Sequence, residues 1–246
     1  MSDGHIRTSM AADGGFDIVI GRPDAGNALT AEMTTALASA LVDLPDAAKF
    51  VVLRGEGADF CAGRVSPMPP AGTVLAAGQI RARVSDPVLD FYQMVRDVRV
   101  PVIAVVKGRA HGVGCALAGL ADLTIADSTA AFAIPEMDRD IPPLLVMTAL
   151  SARLSRAALA RMVLSRRQVD ANEAVTIGLA AQACAPDEIE SAVAQVRQCL
   201  STNSHTSLMA VKHFLNVAPE MSFAALKEYA ATSNASAVSE RFVKAI

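Results

Sequence analysis

No uninterrupted apolar run in this chain approaches the roughly 18 residues that a membrane helix needs, although hydrophobic residues make up 52% of its 246 positions. A soluble protein with no membrane partner is expected. There is no Lys/Arg cluster either, and the formal net charge is −3. Scattered basic residues give no electrostatic footprint for nucleic acid or an anionic bilayer. Only the pair Arg166 and Arg167 could meet a phosphate locally. Residues 1–12 carry His5 and Arg7 but lack the apolar segment of a secretory signal, so a cytoplasmic location is expected. Cys61, Cys115, Cys184 and Cys199 show no CxxC and no paired Cys/His spacing. They read as four buried free thiols, and no metal site is expected.

Charge is scarce as well, at 19% of residues. The apolar excess exceeds what one monomer's core requires, which predicts a subunit that buries surface against copies of itself. The length lies near the upper end of one domain. We therefore expect an α/β body over residues 1–185 and a helical, oligomer-forming region over 186–246.

What is present is organised as strand, turn and helix. Residues 16–20 form a β-rich run that stops at Gly21, Arg22, Pro23 and Asp24. Thr30 stands where a helix cap is needed, and Met33, Leu37, Leu41 and Leu44 recur at helical spacing up to Pro45. Residues 50–53 and 101–106 are continuous apolar runs, as expected of strands covered on both sides. A helix is predicted over 115–120 and strands over 123–126 and 132–134. Residues 66–87, rich in Pro, Ala and Gly, predict an irregular stretch of the kind that often covers a site, leading into a helix near 88–98. From residue 144 onward the pattern is helical, over 144–154, 156–164, 171–177, 189–200, 207–217 and 223–233. The recurring strand-turn-helix unit argues for mostly parallel strands.

Two glycine-punctuated turns follow buried strands: Asp59 to Arg64 after the first, Gly108 to Cys115 after the second. Ligands gather at the carboxyl ends of parallel strands, and helix N-terminal amides favour an anion. Two amides aimed at one point make an oxyanion hole. Each turn by itself reads equally as a tight turn made for packing.

Taken together, Arg22-Pro23 with Asn27-Ala28-Leu29, then Phe60-Cys61-Ala62-Gly63, Pro101-Val102-Ile103-Ala104, Gly112-Val113-Gly114-Cys115 with Ala121-Asp122-Leu123, and Phe132 with Pro135-Glu136 resemble segments of the crotonase (enoyl-CoA hydratase/isomerase) superfamily, in that family's order. The resemblance spans about residues 16–184 and continues through Arg161-Met162, Ala174 and Gly178-Leu179. It implies a spiral of ββα units with a C-terminal helical region that builds homotrimers or dimers of trimers. It also implies an acyl-CoA thioester substrate, with coenzyme A as part of that substrate and no separate cofactor. By the resemblance, the oxyanion amides are those of Arg64 and Val113. The coenzyme A arm runs past Ala62, Gly63, Arg64, Val65 and Gly112, with Ala25 toward the nucleotide end, and Glu136 is the catalytic carboxylate.

Three departures matter. Hydratases of the family carry a second glutamate where this chain has Ala116, and losing one of two carboxylates should depress water addition. A double-bond shift needs a single base, so the expected activity is a Δ3-Δ2 enoyl-CoA isomerase-like reaction with Glu136 shuttling the proton. The alternatives are a hydratase or C–C bond hydrolase using Asp138, Asp140 or His111 as a second group, and a non-catalytic CoA-binding oligomer. His111 also reads as structural, and the two aspartates as caps for the helix after Pro142-Pro143. Val65 replaces an aspartate that often ends the Ala-Gly motif, which leaves open how that loop is held. Val113, where many relatives have glycine, would be strained if the turn required a positive φ.

Overall fold

The computed structural model describes residues 4–65 and 72–243. Strands β1 (His5–Met10) and β2 (Gly15–Gly21) pair antiparallel, and helix α1 (Ala31–Val42) leads to β3 (Phe50–Gly55). A helical run then begins at α2 (Ala77–Ile80), passes through a π-helical turn at Arg81–Ser85 and continues as α3 (Asp86–Arg96). Strand β4 (Val102–Val106) is followed by the short β5 (Arg109–His111), by α4 (Val113–Leu120), and by β6 (Leu123–Asp127). Next come β7 (Ala131–Ala133), a 3-10 turn at Pro135–Arg139, α5 (Leu144–Leu150), α6 (Arg156–Leu164), β8 (Val169–Asp170), α7 (Ala171–Thr176) and β9 (Gln182–Cys184). The chain ends in α8 (Ile189–Ser201), α9 (His205–Val217) and α10 (Phe223–Val243).

The main sheet runs β1-β2-β3-β4-β6-β9, and every pairing beyond the first hairpin is parallel. A second sheet, β5-β7-β8, lies beside it. The period of two in β3 and β4 explains their continuous apolar sequences. Val51, Leu53, Val102, Ala104 and Val106 face the large core with α1, α3 and α4, whereas Phe50, Val52, Ile103 and Val105 face Ile189, Ala192 and Val193 of α8. Helix α8 thus covers the sheet's other face. Arg197 pins it there, bonding to Asp13 and Asp17 with its guanidinium 5.5 Å from the centre of the Phe50 ring.

The capping expectation holds at α1, where Thr30 accepts from the Met33 amide at 3.2 Å. Several expectations are corrected. Strand β1 has no apolar alternation because it is a mostly exposed edge, so no period marked it. Of the irregular stretch expected over 66–87, residues 66–71 lie outside the described residues, and from Ala77 onward the chain is helical. The glycine turn expected over 108–114 contains a strand, β5, and the following helix begins at Val113. Cys61 and Cys115 are buried as expected, but Cys184 is half-buried and Cys199 is exposed on α8. No helix among the described residues is long and apolar enough to cross a membrane.

A buried ion pair ties α9 to the body. Lys212, 2% exposed, donates at 3.0 Å to both carboxylate oxygens of Asp122, which also accepts the Val102 amide at the start of β4 at 2.7 Å. Removing one partner leaves the other charge buried and unpaired. Lys212→Met should therefore cost about 3–5 kcal/mol, read as a lower urea midpoint. A midpoint equal to that of the wild type would show that water or another cation takes the place of the ammonium.

Candidate active site

The site begins with a buried asparagine. Asn27, fully buried and at φ 58°, accepts the Arg22 amide at 2.8 Å and donates to the carbonyls of Glu56 at 2.8 Å and Asp59 at 2.6 Å. It fastens the turn after β2 to the loop after β3. That loop then threads between two backbones. Cys61 donates to the Arg109 carbonyl and accepts from His111, each at 2.9 Å, while Ala62 donates to Gly26 at 2.8 Å. Gly63 accepts from Leu29 at 2.9 Å, and Val65 donates to the Leu29 carbonyl at 2.8 Å. Although Val65 is not an aspartate, main-chain bonds to Leu29 hold the loop.

The direction of the Arg64 amide follows from peptide planarity. The Gly63 carbonyl and the Arg64 N–H belong to one trans peptide and point opposite ways. Because the carbonyl faces Leu29, the N–H faces away from it. Gly63 permits this with φ at 120°, a value L side chains rarely adopt. The same reasoning applies to Val113. The Gly112 carbonyl accepts from Ala116 at 3.0 Å, pointing down α4, so the Val113 N–H points out of the helix N-terminus. The positive φ of this turn, 52°, belongs to Gly112 and not to Val113, which corrects the expectation of strain at the β-branched residue. Gly114 packs so tightly on the Cys61 carbonyl that a Cβ there would collide with it, and this holds the two turns together. Neither the Arg64 nor the Val113 amide donates to an acceptor among the described residues.

Both residues line a cavity of about 570 Å³ between α1 and α3, walled by Ala38, Val42, Val88, Phe91 and Met94. The carboxylate of Glu136, on the 3-10 turn after β7, lies beside Gly112, next to the Val113 end of the cavity wall. Its Oε1 lies 2.9 Å from where a Cβ on Gly112 would be, and its Oε2 is buried without a hydrogen-bond partner among the described residues. Burial raises its pKa above the ordinary carboxylate value, against the lowering pull of its own amide, Arg139 and Arg64. An oxyanion donor pair beside a carboxyl group of raised pKa can bind an enolate and move a proton.

The remaining candidates fall around this centre. Ala25 ends the 3-10 turn Pro23–Ala25, and the adjoining Gly26 lies against Ala62. Val65 is exposed. The His111 ring places Nε2 in a buried position without a partner, and burial followed by the Arg109 charge lowers its pKa. Asp138 and Asp140 are exposed. Asp138 pairs with Arg166 at 3.7 Å, and Asp140, at φ 55°, ends the 3-10 turn. Neither caps α5, whose first turn follows Pro143 without a side-chain cap. Arg167 is turned to Glu173. Ala116 is fully buried one turn into α4. One residue was not foreseen: Tyr92 of α3, 4% exposed, has a hydroxyl with no partner among the described residues and lies within electrostatic reach of Arg64 and Glu136. No group of His, Cys, Asp and Glu able to hold a metal ion occurs among the described residues.

A family model described as enoyl-CoA hydratase/isomerase matches residues 13–242. A "probable enoyl-CoA hydratase" of Rhizobium meliloti (strain 1021) is 31% identical over 211 residues, covering 84% of this chain and 79% of that protein. Among solved structures, an enoyl-CoA hydratase of Mycobacterium smegmatis superposes with a TM-score of 0.87 at 24% identity, covering 94% of this chain and 89% of the other. A Thermobifida fusca YX protein solved in complex with CoA superposes with a TM-score of 0.86 at 26% identity, covering 98% and 95%.

Proposed function

The chain belongs to the enoyl-CoA hydratase/isomerase family, and from that premise we propose that it shifts the double bond of an enoyl-CoA from Δ3 to Δ2 with Glu136 as the one acid/base group. Its fold is the crotonase fold, an α/β spiral with a C-terminal helical region. The thioester carbonyl accepts from the Arg64 and Val113 amides, which carry the negative charge as the enolate forms. Glu136 takes a proton from C2 and returns it at C4, so no second carboxylate is needed. The observation that carries this reading is at Ala116, a fully buried methyl where a hydratase of the family has its other carboxylate. The T. fusca relative's complex with CoA supports acyl-CoA as the ligand.

A second reading, hydration, is favoured by the name of the Rhizobium relative. It requires the second proton to pass through another group, Asp138, Asp140 or His111. Conjugated enoyl thioesters absorb in the ultraviolet, so one assay separates the readings. Isomerisation makes the absorbance appear from a 3-enoyl-CoA, and hydration makes it disappear from a 2-enoyl-CoA. Fast loss from the 2-enoyl substrate with no gain from the 3-enoyl substrate would overturn the isomerase reading, and no change in either would leave a binding protein.

A further inference from the structure

The side chain of Arg64 does something that its backbone role does not require. The guanidinium is half-buried in the wall of the cavity and makes no ion pair or hydrogen bond among the described residues. Segment 66–71, next in the chain, reads Ser-Pro-Met-Pro-Pro-Ala and has no carboxylate to offer. Glu136 is in electrostatic reach but does not form an ion pair with Arg64. Two other charged groups line the cavity, Arg83 and Asp43, both exposed and of opposite sign. They offset one another, and among the residues lining the cavity no carboxylate pairs with Arg64. An arginine presents a fork of donors matched to a carboxylate.

We propose that the acyl group taken by this site carries a second carboxylate, so that the substrate class is the monothioester of a short dicarboxylic acid, its free carboxylate received by the Arg64 guanidinium. The inference rests on the acyl-CoA reading above and narrows it. One residue then grips both ends of the acyl group: its main-chain amide holds the thioester oxygen, and its side chain holds the distal carboxylate. The tether between these two points limits the acyl group to a few carbons. A plain alkyl chain of the same length leaves the guanidinium unsatisfied and strips water from it without replacing that water.

Calorimetry on the intact protein tests this. The probes are succinyl-CoA and glutaryl-CoA, each against a neutral counterpart in which an isopropyl group replaces the carboxylate, 4-methylpentanoyl-CoA and 5-methylhexanoyl-CoA. For at least one pair the wild type should bind the acidic thioester about tenfold or more tightly, as expected of a charge-assisted hydrogen bond. In Arg64→Met, which keeps the amide and the stem, the ratio should collapse toward one. Arg64→Lys should keep part of it and serves in its place if the methionine variant does not fold. A ratio near one for both pairs in the wild type, or a preference that survives loss of the guanidinium, overturns the inference while leaving the acyl-CoA reading intact. Failure of all four thioesters to bind defeats the acyl-CoA reading, and the inference with it.

Discussion

Glu136→Gln should lower turnover about 10²- to 10⁴-fold with little change in affinity for the thioester. The amide preserves the volume and hydrogen-bonding capacity of the side chain behind Gly112 but cannot accept and return a proton. The wild-type rate should rise with pH through the pKa of Glu136, which burial places above the ordinary carboxylate value. The same shift has a stability consequence of definite sign. A carboxyl group with a raised native pKa favours the folded state fully below its unfolded pKa, and that contribution is lost as pH rises through the folded value. Relative to wild type, Glu136→Gln should therefore gain stability between mildly acidic and neutral pH. Turnover within tenfold of wild type would remove Glu136 from the chemistry, and rapid wild-type hydration abolished by Asp138→Asn, Asp140→Asn or His111→Gln would replace the one-base mechanism.

Val113→Pro should lower turnover about 10²- to 10³-fold, the usual effect of losing one oxyanion donor. The structure makes this substitution cleaner than the sequence suggests. Val113 is the first residue of α4, a position where proline is favoured because its ring presets the helical φ and its missing N–H has no intrahelical acceptor. Gly112 precedes it without a Cβ, which relieves part of the clash that proline imposes on its neighbour. Val113→Ala, which retains the amide, should keep most of the activity. The comparison requires that the proline variant still bind acyl-CoA, and a folded, binding and fully active Val113→Pro would exclude this amide.

The strands that carry the site were readable because each is buried on both faces and so appears as an unbroken apolar run, Phe50 to Leu53 and Val102 to Val106 alike. The candidate site was readable as short segments in a family's order, since its proposed donors are backbone groups whose turns hold glycines at positive φ, Gly63 and Gly112. Groups that act through long-range placement were not. Tyr92 belongs to an amphipathic face with Val88, Phe91 and Val95, and nothing local distinguishes a core tyrosine from one with an orphaned hydroxyl. Asp122 and Lys212 lie 90 residues apart, and their pairing leaves no periodic trace. The strain expected at Val113 dissolved because the required positive φ falls one residue earlier. The exposed Cys199 escaped because an amphipathic helix such as α8 can turn a small apolar residue outward.

The peptide between Gly63 and Arg64 has an evolutionary consequence. Its orientation depends on main-chain bonds to Leu29 and on a glycine, while the side chain at position 64 projects into the cavity. On the reading proposed above, the oxyanion donor and the recognition group share one residue without sharing an atom. On that reading, any amino-acid substitution at position 64 other than proline can change which acyl group is accepted while the proposed oxyanion N–H passes unaltered to the descendant. A lineage built on this turn can explore new substrates by single substitutions without first surrendering its chemistry.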